Sequence, residues 1–325
     1  MKQSLFESRH KAEWERFSLA LERLERGKDT SQVAEFPKAY RRLCQHLALA
    51  QDRGYSSFLV DSLQQQVLRG HQQLYRHRSQ LGANVLGFIL AGFPRLVRAE
   101  WRFVLVAALL FFGSLAGFGL LVFLFPELVY NLIPADQVRE MQSMYDPAAG
   151  HLGRSAERAA SEDWVMFGYY IMHNIGIAFQ TFASGLLLGV GSAFFLFYNG
   201  LIIGAVAGHL SEIGFGQTFW SFVIGHGAFE LSAIALAGAA GLKLGWALIA
   251  PGRLTRIEAL QIAARQSILL ICGVMLFLLI AAFIEAYWSS RTGVSPQTKY
   301  LVGTGLWLGV AIYLLFAGRS RHAPE

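Results

Sequence analysis

A chain of 325 residues with 54% hydrophobic and only 15% charged side chains is too apolar for an ordinary soluble domain. The net charge of +6 does not argue for nucleic acid, because more than half of the Lys and Arg fall in the first hundred residues, beside apolar segments. That placement serves topology and attraction to anionic lipid headgroups. Two cysteines, Cys44 and Cys272, exclude a disulfide framework and a cysteine-based zinc site.

The first hundred residues read as short amphipathic helices. Trp14, Phe17, Leu21 and Leu24 form one stripe. Phe36, Tyr40, Leu43 and Leu47 form a second. After a turn at Asp52-Arg53-Gly54, Leu63, Val67 and Leu74 form a third. Spacings of three and four put each set on one helix face, so the three stripes are expected to bury against one another. Met1 to His10 has no apolar core of the secretory type, so the first apolar segment is expected to direct insertion itself. Val85–Arg98 mixes Leu86, Phe88, Ile89 and Leu96 with Arg95 and Arg98 around Pro94, as expected of a helix lying in the headgroup region.

Six spans follow from the rule that about twenty apolar residues cross the hydrocarbon: 102–125, 165–189, 193–212, 217–240, 267–288 and 299–317. The second and third are separated only by Gly189 to Ala193, which demands a bend or a tight hairpin. Lys and Arg gather in the first hundred residues, in the connection Lys243–Arg265 and in the tail at Arg319 and Arg321. The connection 126–163 instead carries seven acidic residues against three Arg. Both termini are therefore expected on the cytoplasmic side of the membrane, with the acidic loop outside. The expected plan is all-α: a cytoplasmic helical domain over 1–100, a transmembrane bundle over 101–318 with its outer loop at 126–163, and a cytoplasmic tail over 319–325.

Six glycine pairs stand four apart: 113/117, 185/189, 200/204, 204/208, 241/245 and 305/309. Each offers a flat helix face that lets a neighbour approach closely. Packing within one subunit is the favoured use, and a homodimer is the other.

Polar groups inside the spans are the candidate site: His173, Asn174, Asn199, His226, Glu230 and Glu285. Such groups need partners, because hydrocarbon supplies none. His226 and Glu230 share a helix face, and the topology puts His173, Asn174, Glu285 and His209 in the same outer half of the membrane. Three readings stay open: hydrogen-bonding glue, a path for an ion, proton or headgroup, or a metal-dependent intramembrane hydrolase. The last would use His173 and His226 as ligands and Glu230 as ligand or base, yet His-Glu-x-x-His and a nucleophile elbow are absent from the sequence. No catalytic residue is assigned, and the sequence names neither metal nor cofactor.

The series Asn174-x3-Ala178-Phe179, Gly185-x3-Gly189, Asn199-Gly200-x3-Gly204, His226-Gly227-x2-Glu230-Leu231, Ala237-Gly238, Gly241 and Ile284-Glu285-Ala286 resembles the stage II sporulation protein M family of integral membrane proteins. Phe36-Pro37-x2-Tyr40-Arg41 and Leu74-Tyr75-Arg76 resemble its longer members, found in bacteria that need not sporulate. The resemblance implies a scaffold that coordinates peptidoglycan remodelling, or a complex with a MoxR-type AAA+ ATPase and von Willebrand factor A proteins. It implies protein partners at the cytoplasmic helices and the outer loop, and no established catalytic residue. A transporter or channel-like protein using the His and Glu groups is the alternative.

Overall fold

Short polar helices bury one stripe each, whereas long apolar helices satisfy their backbone internally and can sit in lipid. Both kinds are present in the computed structural model, which describes residues 2–25, 36–76, 78–151, 153 and 160–319. Residues 154–159 of the expected outer loop, and the tail beyond Arg319, lie outside the described residues. The chain divides into two compact units, Met1–Gly87 and Phe88–Glu325.

The first unit contains α1 (Gln3–Glu25), α2 (Phe36–Asp52), α3 (Ser57–Arg76) and α4 (Arg78–Gly87). Phe6, Trp14, Phe17 and Leu21 of α1 close on Phe36 and Leu43 of α2 and on Leu59 and Leu63 of α3. The three expected stripes thus form one core, and Gly54 makes the turn with a left-handed φ of 61°. Arg69 donates to both carboxylate oxygens of Glu25, at 3.0 and 2.7 Å, tying α3 to α1.

The second unit begins with a π-helical turn, Phe88–Gly92, and continues as α5 (Phe93–Ala99), α6 (Trp101–Leu124), α7 (Val129–Leu132), α8 (Ala135–Tyr145), α9 (Ala160–Ala183), α10 (Val190–Glu212), α11 (Gly216–Ile249), α12 (Arg256–Ile284) and α13 (Pro296–Phe316). Among the described residues, five helical segments are long and apolar enough to cross a membrane: α6, α10, α11, α12 with the turn that follows it, and α13. The expected sixth, α9, is equally long at 24 residues. His173, Asn174 and Gln180 dilute its apolar character and keep it out of that set.

The boundary between α9 and α10 differs from the sequence expectation. The chain breaks at Ser184–Gly189, and α10 starts at Val190 rather than Ala193. Gly185 and Gly189 are therefore not facing residues of one helix; they form the turn, with Leu188 (φ 53°) and Gly189 (φ 81°) both left-handed. A Cβ on Gly185 would overlap the carbonyl of Gly241, and a Cβ on Gly245 would overlap the backbone of Gly189. The turn is a plug seated on α11.

α11 occupies the centre because its side chains are small. Gly225, Ala228, Ala233, Ala237, Ala240 and Gly241 let neighbours approach its backbone. Around it pack Leu270, Val274, Phe277 and Leu278 of α12, Val310 of α13, Ala178 of α9, and Phe93 and Val97 of α5. α6 and α10 form a second tight pair, in which Gly200, Gly204 and Gly208 lie against Ser114, Leu115 and Gly119. Of the six glycine pairs, 113/117 and 305/309 meet nothing. Spacing alone could not separate these from the pairs in contact.

α5, part of the stretch expected to lie in the headgroup region, packs against the bundle. Phe93 is buried against Gly273, while Arg98 donates at 2.7 Å to the carbonyls of Leu314 and Ala317 at the end of α13. Those carbonyls lack intrahelical donors, and a guanidinium satisfies them while meeting the negative end of the dipole. At the other end of the bundle, α8 folds back as a cap. Met144 and Tyr145 enter a core with Leu210, Phe219 and Phe222, and Thr218 on α11 donates to the Tyr145 carbonyl.

Candidate functional site

His226 and Glu230 lie ten and fourteen residues into α11, about 15 and 21 Å along its axis by helical rise. One turn apart, both side chains are largely enclosed by the bundle: His226 is 5% exposed and the Glu230 side chain 18%. The Nε2 of His226 is 3.8 Å from Glu230 Oε2, too far for a hydrogen bond. Its Nδ1 is 3.0 Å from the Ser289 hydroxyl, and Phe222 meets the ring edge-on at 5.3 Å.

The second carboxylate comes from α12. That helix does not end regularly: Glu285–Ser289 winds as a π-helical turn, a geometry that recurs at functional sites. The wide turn buries both Glu285 and Ser289. One ligating atom from each of His226, Glu230 and Glu285 lies within 4.8 Å of the others. Lys299, in the first turn of α13 and 1% exposed, donates from Nζ to the Ser289 carbonyl at 2.7 Å.

A cavity of about 220 Å³ lies beside this group, bordered by Asp146, His151, Gln217, Ser221, Thr292 and Lys299. Its walls come from the segment after α8, the start of α11 and the connection from α12 to α13. It shares Lys299 with the polar chain that runs through Ser289 to His226.

The expected convergence of six residues narrows to three. His226, Glu230 and Glu285 meet. Asn174 is buried at 3% exposure, with an amide nitrogen that finds no hydrogen-bond partner. It sits on α9 between Tyr170, which packs on Ala282 and Ala286, and Ala178, which packs in the α11 core. His173 is one residue further round the helix, which turns it to the exposed side, stacked on Tyr169 at 5.7 Å. A ligand role for His173 beside His226 is thus not supported by the geometry. Asn199 donates to the Phe195 carbonyl one turn back in its own helix at 2.7 Å. His209 is held elsewhere, 2.9 Å from the amide of Gln142 on α8.

Sequence reasoning missed Ser289 and Lys299. Ser289 gave no signal, being one of several serines near a span end. Lys299 gave one: a cation in the first turn of a helix opposes the macrodipole, so its presence after the Ser295 cap and Pro296 asks for a nearby acceptor.

Chemically the group can hold a cation, relay protons, or simply bind α11 to α12. The described residues contain one further cluster of this type, His10, Glu13 and His46 in the first unit.

The two units match different family models. Residues 4–76 match a Domain of unknown function (DUF8413). Neither a curated protein nor a solved structure matches the chain. Residues 103–290 match Stage II sporulation protein M (SpoIIM), a stretch that contains His226, Glu230, Glu285 and Ser289 and stops short of Lys299. With more than half of its length covered by that match, this multi-pass helical protein belongs to the Stage II sporulation protein M family.

Proposed function

We propose that this chain is a non-enzymatic scaffold of the bacterial inner membrane, with both termini in the cytoplasm. Its first unit docks a soluble partner of the MoxR-type ATPase assembly, and its outer cap engages peptidoglycan-remodelling proteins. The observation that supports this most directly is the division of the chain into two units with separate cores. A transporter needs no such domain, whereas a scaffold needs folded surface outside the bilayer. The first unit also leaves apolar side chains outward: Phe58 is 84% exposed, and Leu5 and Leu68 are each 59% exposed. Apolar side chains on a polar helical domain are candidates for partner contact.

Photocrosslinking from Phe58 in cells tests the reading. The expected product is a defined adduct with an AAA+ ATPase or a von Willebrand factor A protein, unchanged when His226→Ala and Glu230→Gln are introduced together. A chain that yields no adduct from Phe58, and whose double variant loses a measurable solute flux at normal expression, would favour the transporter reading instead. The buried His226–Glu230–Glu285 group is what supports that second reading.

A further inference from the structure

We propose that His226, Glu230 and Glu285 form a binding site for a divalent first-row transition-metal ion of the Zn²⁺ class, within the membrane unit. The inference is independent of the scaffold reading, since it concerns what the bundle holds rather than what the chain recruits.

Geometry comes first. The three donor atoms lie within 4.8 Å of one another. Ligands at about 2.0–2.2 Å from a tetrahedral zinc ion stand roughly 3.4 Å apart. The 3.8 Å between His226 Nε2 and Glu230 Oε2 is close to that value and too long for a direct charge-assisted hydrogen bond, which settles at about 2.7–2.9 Å. Donor atoms that are no more than 4.8 Å apart need to close by at most about 1.4 Å to sit on one ion.

The surrounding shell has the form that a ligating histidine requires. Nδ1 of His226 meets the Ser289 hydroxyl at 3.0 Å. With Nδ1–H donating to that oxygen, the lone pair of Nε2 faces the carboxylates, which is the tautomer a metal needs. Ser289 is itself fixed, because its carbonyl accepts from the buried Lys299. Phe222 packs against the imidazole and limits its rotation.

Electrostatics points the same way. Two carboxylates this close repel when ionised, and a low-dielectric interior makes that expensive. A divalent cation with two carboxylates and one neutral imidazole is a neutral assembly, and a bound cation becomes the largest local charge in such a site. Mixed imidazole and carboxylate ligation suits zinc, manganese or iron rather than calcium. Three protein ligands leave a coordination position for water. Asn174 on α9 is also buried, with an amide nitrogen that has no hydrogen-bond partner.

The test uses the full chain purified in detergent, stripped with a chelator and titrated with Co²⁺, then with Zn²⁺ in competition. The expected result is saturable Co²⁺ binding with visible d–d absorption, displaced by Zn²⁺. His226→Ala, Glu230→Gln and Glu285→Gln should each weaken it by at least about tenfold, and Ser289→Ala by about 10–100-fold. His10→Ala should leave it unchanged, which separates this site from the second cluster. The two Gln variants keep side-chain volume, so they stay informative if His226→Ala misfolds. A monodisperse stripped protein that takes up no Co²⁺, binding that survives Glu230→Gln combined with Glu285→Gln, or loss that follows His10→Ala would each overturn the proposal.

Discussion

His46 shows how one side chain sets a pH response in the first unit. Its Nδ1 accepts from the indole N–H of Trp14 at 3.1 Å, and its ring lies 4.1 Å from that of His10. Burial, reinforced by repulsion from His10, pushes its pKa below the ordinary 6.5. Protonation would also set an N–H against the indole N–H. The folded state therefore prefers neutral His46, and the unfolded chain takes up the proton first. Stability from this residue is full above about pH 6.5 and is lost as pH falls toward the lower folded value. Protection of the α1 and α2 amides, taken relative to their intrinsic exchange rates, should fall as pH drops from about 7 to 5, and His46→Gln should flatten that trend. Glu13 acts in a lower window: the Arg42 guanidinium, 3.0 Å away, holds its carboxyl below the usual 4.5. Equal protection at pH 7 and 5 in the unsubstituted chain would remove the role assigned to His46.

At the scale of elements, small residues matter only where a neighbour uses them. Gly241 and Gly305 both carry the four-residue spacing, yet their surroundings differ. A Cβ at Gly241 would lie 2.7 Å from the Phe182 carbonyl and 3.0 Å from that of Thr181, and would also overlap Ser192 Oγ. A Cβ at Gly305 meets nothing. Gly241→Ala should destabilise the bundle by about 1–3 kcal/mol, since backbone must move. Gly305→Ala should stay within about 0.5 kcal/mol of the unsubstituted chain. Thermal unfolding in detergent separates the two, and equal midpoints would show that the end of α9 at Thr181–Phe182 and the start of α10 at Ser192 do not pack on Gly241. The same reasoning explains the span boundary. Hydropathy runs unbroken from α9 into α10, so the sequence marked the break only by glycine; the left-handed Leu188 and Gly189 place it.

For the molecule as a whole, the distribution of Lys and Arg fixes an expected orientation. In a chain freed of Cys44 and Cys272, a cysteine at Ser143 on the α8 cap should label from outside intact cells. A cysteine at Gln45 should label only after permeabilisation. The reverse pattern would invert the map and move the cavity beside Lys299 to the cytoplasmic side. The described cap adds a point that loop composition did not suggest: the acidic connection is in part a packed lid, held by Tyr145, Gln142 and Val138 against α10 and α11.

Sequence by itself determined the class of the protein, the amphipathic core of the first unit and five of the six expected spans, and it named His226, Glu230 and Glu285 as candidates. These follow from one-dimensional rules: a spanning helix satisfies its own backbone and needs only length and apolarity, and a stripe needs only spacing. Tertiary structure decided which polar groups meet. His173 and Asn174 are neighbours in sequence, yet a 100° step around α9 exposes one and buries the other. Glu285 reaches His226 through a π-helical turn, and Ser289 and Lys299 join from segments that no spacing linked to α11. Helix rotation and depth are set by close backbone approach between distant segments, and that information is absent from any single stretch of chain.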